Sequence, residues 1–159
     1  MIRSFILASL IAIALPFSAN AQERVELGKL ECFVDEGTGF IIGSTKDISC
    51  VFTSIDETRE PDNYFGVINK LGIDIGSTEQ SYISWLVIAP NFSNYERGFL
   101  QGDYVGASAS ASIAIGLGAN VLVGGSNQTF ALQPVSVQTQ EGLNIAVGVA
   151  EIELRAITD

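Results

Sequence analysis

Apolar residues in this chain recur at every second position far more often than at helical spacing. The runs VELGKLECFV (25–34), DISCVF (47–52), YFGVINKLGIDIG (64–76) and SYISWLVIA (81–89) are rich in β-branched and aromatic residues and bounded by turn residues. TFALQPVSVQ (129–138) and LNIAVGVAEIELRAI (143–157) continue the pattern. In the last of these, Ile152 and Leu154 alternate with Glu151, Glu153 and Arg155, as in a strand with one buried face. DEGTG (35–39), DETREPDN (56–63), PNFSNYERG (90–98) and GGSN (124–127) read as the loops between them. Pro134 is expected at a sheet edge or a bulge, because it has no N–H to give to a ladder. Short strands at roughly ten-residue spacing predict an all-β domain, a single antiparallel sandwich or small barrel with strands from about 25 to 157.

The longest alternating stretch is VGASASASIAIGLGANVLVGG (105–125). From Val105 to Val123 its odd positions are all aliphatic, while the even positions from Gly106 to Gly118 carry only glycine, serine and alanine. A strict period of two is a strand signature and argues against a helix, membrane-spanning or otherwise. Some twenty residues at about 3.3 Å each would reach roughly 66 Å. A domain of this length has a radius of gyration near ~14 Å, hence a diameter of about 37 Å. The stretch must therefore bend at Gly116–Gly118 or reverse near Ala119–Asn120 as a hairpin. Its bare face (Gly106, Ser108, Ser110, Ser112, Ala114 and Gly116) lets something approach the backbone closely, and is the candidate ligand-binding face. The guest is expected to be a large side chain of the same domain, such as Trp85 or Phe99, or an apolar ligand such as a lipid chain.

The ends and the composition place the domain. MIRSFILASLIAIALPFSANA (1–21) has Arg3 as a basic n-region, an apolar run from Phe5 to Phe17 and a small-x-small ending. The run is too short to cross a bilayer of roughly 30 Å, so a secretory signal cleaved after Ala21 is expected, with residues 22–159 as one β-domain in the periplasm. Eight basic against 18 acidic residues give a net charge of −10, which argues against nucleic acid and anionic membrane surfaces as partners. The expected partners are a lipid or another envelope protein. An even pair of cysteines in an exported chain, Cys32 and Cys50, predicts a disulfide that contributes on the order of 3 kcal/mol.

Candidate chemistry is thin. The chain has no histidine, which removes Ser-His-Asp and Cys-His arrangements. Gly116-Leu117-Gly118 lacks the third glycine and the following helix of a dinucleotide loop, so no cofactor is expected. With no third cysteine the ligand set for zinc is incomplete. Lys46 stands near Ser44, but in a polar turn where nothing would lower its pKa. The acidic run from Asp56 to Asp62 could hold calcium loosely, although a mobile acidic loop is the default and no metal is expected. No catalytic residue emerges. The leading expectation is a non-enzymatic envelope protein binding a small apolar ligand or a partner; the alternatives are an integral outer-membrane β-barrel, whose strands also alternate, and a weak hydrolase using serine or carboxylate groups.

Three blocks, GFIIGSTKDISCVF (39–52), INKLGIDIG (68–76) and GANVLVGGSNQTFALQPVSVQ (118–138), together resemble a family of small exported bacterial proteins, the domain of unknown function 992. The resemblance covers nearly the whole mature chain and implies a periplasmic single-domain protein. It implies no activity and no catalytic residues. GLGANVLVGG (116–125) is also faintly similar to the glycine-rich segment of SYLF-type lipid-binding domains.

Overall fold

The structure, a computed structural model, describes residues 24–35, 45–71, 81–93, 95–106, 121–126, 129–135 and 149–158. Eight strands form: β1 (Val25–Val34), β2 (Lys46–Ser54), β3 (Asp62–Leu71), β4 (Ser81–Ala89), β5 (Gly102–Gly106), β6 (Leu122–Gly124), β7 (Phe130–Val135) and β8 (Val149–Ala156). They close into a barrel in the order β1-β2-β3-β8-β5-β6-β7-β4, with every neighbouring pair antiparallel. Closure pairs both sides of the sheet and removes the free edges that a sandwich would have to protect.

Alternation sorts the barrel wall into an inside and an outside. Leu30, Cys32, Ile48, Phe52, Tyr64, Ile68, Ile83, Trp85, Tyr104, Leu132, Ile152 and Leu154 are buried together in one core. An eight-stranded barrel is just wide enough for side chains to fill, and Trp85, Tyr64, Tyr104 and Phe52 are its largest fully buried occupants. Cys32 and Cys50 stand directly opposite each other on β1 and β2 and are joined by a disulfide, with Cα atoms 4.0 Å apart. The expected bond therefore sits inside the barrel.

In β1 the alternation slips by one residue. Leu27 and Leu30 are both buried, and the register with β4 shifts between Glu26 and Gly28. One extra residue in a strand returns both flanking halves to the same face. That residue is Leu27, which has no partner on β4; at Gly28, which follows it, a Cβ would collide with the Thr53 carbonyl oxygen on β2.

Several expected boundaries move. Asp62 and Asn63, assigned to a loop by their polarity, open β3 instead; Asp62 faces inward with 2% of its surface exposed. The long stretch from Val105 resolves as an antiparallel pair, with Gly106 opposite Leu122, so the chain reverses between β5 and β6. Pro134 lies within the closed sheet, opposite Trp85 on β4. The remaining parts of the expected strands, at 72–76, 136–138 and 143–148, lie outside the described residues.

The outer wall differs around the circumference. On β1, β2 and β3 the outward positions Glu26, Glu31, Ser49, Val51, Thr53, Asn63 and Phe65 are exposed. On β4, β6 and β7 the outward positions Ile88, Val123 and Ala131, together with Val121 beside them, form a second buried apolar cluster.

Candidate functional site

Three connections meet at the end of the barrel where β2 passes to β3, β4 to β5 and β6 to β7: residues 55–61, 90–101 and 125–129. Asp62 holds this mouth together. Its carboxylate accepts from Arg59 Nη2 at 3.0 Å, Arg97 Nε at 3.3 Å, the Gly98 N–H at 3.4 Å and the Tyr64 hydroxyl at 3.4 Å. Gly98 can donate there because its φ of 77° turns the chain in the left-handed region, which suits glycine. Arg59 reaches further, donating through Nη1 to the Tyr95 carbonyl at 2.5 Å and through Nη2 to the Glu96 carbonyl at 3.2 Å. The 55–61 loop is thereby tied to the 90–101 loop by one side chain that reaches backbone carbonyls 36 and 37 residues along the chain. A buried carboxylate needs such compensation: Oδ2 takes the Arg59, Tyr64 and Gly98 donors, and Oδ1 takes Arg97.

Two buried tyrosines carry the network into the core. Tyr64 accepts from the Leu100 N–H at 3.3 Å, and the Tyr104 hydroxyl donates to the Leu100 carbonyl at 2.8 Å. Burial pushes both phenols well above their ordinary range; for Tyr64 the Leu100 N–H opposes that shift, and for Tyr104 the neighbouring Tyr64 adds to it. Above them the aromatic rings close the mouth. Phe99 stacks on Tyr95 with centroids 5.0 Å apart and meets Phe52 and Phe130 edge-on at 5.2 Å. The Arg59 guanidinium lies 5.0 Å from the Phe99 ring centre, a cation–π contact.

A cavity of about 180 Å³ opens beside this plug. Its apolar lining is Leu27, Phe52, Ile55, Phe92, Tyr95 and Phe99; Ser54, Asp56, Arg59 and Ser93 supply the polar atoms. Ile55 and Phe92 stand out from the surface, 52% and 66% exposed. Asp56 accepts from the Thr58 hydroxyl at 2.7 Å and the Thr58 N–H at 3.0 Å, and these bonds hold its carboxyl below the usual carboxylate range. A second cavity, about 160 Å³, is lined by Asp62, Asn63, Arg97, Gly98 and the C-terminal residues Ala156, Ile157 and Thr158.

The candidate residues read from the sequence fall elsewhere. Cys32 and Cys50 are in the core, bonded to each other. Gly106 is exposed at the end of β5, while Ser108, Ser110, Ser112, Ala114 and Gly116 lie outside the described residues. Trp85 packs in the barrel interior, and Phe99 packs on Phe52, Tyr95 and Phe130 at the mouth. In the acidic run Asp62 and Glu60 engage Arg97, Asp62 also engages Arg59, and Asp56 accepts from Thr58. Among the described residues no three metal-ligating side chains converge. Reading alternation alone misses the mouth. The signal for it lies in PNFSNYERGFL (90–100), where three aromatics and an arginine crowd one short connection.

The family described as Protein of unknown function (DUF992) matches residues 10–155. No curated protein and no solved structure matches the chain.

Proposed function

The chain belongs to this family of unknown function, DUF992, and we propose that it works as an exported, non-enzymatic binding protein of the cell envelope that takes a small apolar ligand at the barrel mouth. The observation that carries this reading is the cavity of about 180 Å³, walled by aromatic rings on a framework that ion pairs hold rigid. Binding sites are concave and mostly apolar, with a few placed polar groups, and this mouth has that composition. Its size suits a head group or a single ring rather than a long chain, since usual ligand pockets run from about 300 Å³ upward. The leader-like residues 1–21 and the disulfide support export.

The polarity of the wall favours a water-soluble barrel over one embedded in a bilayer. A membrane barrel carries apolar residues outward and polar ones inward. Here the interior is an apolar core, and Glu26, Glu31, Asp47 and Arg155 are exposed on the outer wall. Fractionation of the native host tests the location: the protein is expected in the soluble periplasmic extract. Native mass spectrometry of that material tests the function. A bound small molecule is expected, reduced in a Phe92→Ala variant; consistently ligand-free protein, or protein retained with membranes, overturns the reading.

A further inference from the structure

We propose that the occupant of the mouth cavity is a small organic cation whose charge is sheathed in methyl groups, a quaternary ammonium; this deepens, and rests on, the reading of that cavity as the ligand site. Four aromatic side chains, Phe52, Phe92, Tyr95 and Phe99, line the cavity. Aromatic faces attract cations through the ring quadrupole, and Phe99 already holds one in the Arg59 guanidinium.

The sign of the ligand follows from which of the two lining charges is compensated. Arg59 is paired with the buried Asp62 and caps the carbonyls of Tyr95 and Glu96. Asp56 is exposed; two bonds from Thr58 and, to a lesser degree, the charge of Arg59 favour its ionised form. Glu57 and Glu60 flank it on the same loop and Glu96 stands on the facing one, while Arg97 is itself engaged with Glu60 and Asp62. The uncompensated charge at the mouth is therefore negative, in a chain whose net charge is −10. An anion is repelled. A compact, strongly hydrated cation would lose its water against aromatic walls without replacement. A methylated ammonium loses little hydration, meets the aromatic lining at Phe52, Phe92 and Tyr95 and stays within reach of the acidic rim.

Titration of the mature protein at low salt, with choline and with its uncharged carbon isostere 3,3-dimethyl-1-butanol, tests this by NMR shift perturbation. Saturable choline binding is expected, roughly 2- to 30-fold tighter than the isostere, the range cation–π contacts supply. Asp56→Asn should bring choline down toward the isostere, and Phe92→Ala should weaken both probes. Both residues are exposed, so melting curves of the variants are expected to match the parent. Equal affinity of the two probes, tighter binding of benzoate, or indifference of choline to Asp56→Asn overturns the cation while leaving the cavity as a ligand site. Absence of binding by all three probes, none of them disturbing the resonances of Phe92 or Tyr95, overturns both.

Discussion

The barrel interior and the half-open barrel mouth are held by different physics. In the interior Ile68, Ile83, Ile152 and Leu154 pack around Trp85 and the Cys32–Cys50 bond, and their contribution is apolar surface removed from water, which has no direction. At the mouth Asp62, Arg59, Arg97, Tyr64 and Tyr104 meet through hydrogen bonds with fixed donors and acceptors. A packed core tolerates a change of shape at modest cost, whereas a network loses several bonds when one member is removed. The difference teaches where specificity is built. The interior makes the barrel stable, and the mouth makes one end of it a defined surface.

Paired substitutions break or sharpen that contrast. The largest effect is expected from Asp62→Ala, which strands the largely buried Arg59 guanidinium, an N–H and a hydroxyl and should cost about 3–5 kcal/mol in urea unfolding followed by Trp85 fluorescence. Ile68→Ala in the interior should cost about 2–5 kcal/mol by cavity formation alone. The two separate on conservative replacement: Ile68→Val should recover most of the loss, but Asp62→Asn should not, because an amide cannot neutralise Arg59 and Arg97. Near-complete recovery by Asp62→Asn would reduce the mouth to ordinary packing.

Reduction of Cys32–Cys50 comes next, with an expected loss of about 3 kcal/mol measured as the shift in unfolding free energy with and without reductant. Tyr104→Phe leaves the Leu100 carbonyl without its donor and should cost about 1–3 kcal/mol. The tyrosines also set an alkaline limit. Burial raises their folded-state pKa above the unfolded value of about 10, so the neutral phenols contribute stability in full below that pH and lose it as pH rises beyond. Unfolding midpoints should therefore be level from about pH 7 to 9, fall above about 10, and fall less steeply in a Tyr64→Phe/Tyr104→Phe variant. Thr58→Ala should have the smallest effect. It returns the exposed Asp56 carboxyl toward its ordinary range, a shift that carbon-detected NMR titration reads directly, with the melting temperature scarcely moved.

Much of the interior is legible in the order of residues along the chain. β1 and β4 coincide with the apolar runs that predict them, and the length of the alternating stretch from Val105 calls for a bend or a reversal, in keeping with the antiparallel pairing of β5 and β6. The cysteine pair announces its bond. The mouth is not legible in this way. In sequence Asp62 is one more acid in a polar loop, Arg59 is its solvated neighbour, and Phe92, Tyr95 and Phe99 are the apolar scatter of a connection. The small-residue face centred on Ser108, Ser110 and Ser112 stands out instead, since a repeat is conspicuous in sequence and a convergence is not.

The physical reason lies in the range of the forces. Alternation is a local property: each strand displays the two faces of its own backbone, and a side chain's hydrophobicity declares which face is buried wherever the strand is placed. Strand identity, facing and the disulfide were thus determined by the amino-acid sequence alone. Closure of eight strands in the order β1-β2-β3-β8-β5-β6-β7-β4 depends on pairings between distant segments. Only that closure brings the 55–61 and 90–101 connections to one end, where Arg59 finds Tyr95 and Asp62 finds Arg97. The cavity, its aromatic wall and the sign of the charge at its rim exist because of that meeting, and the tertiary structure decided them.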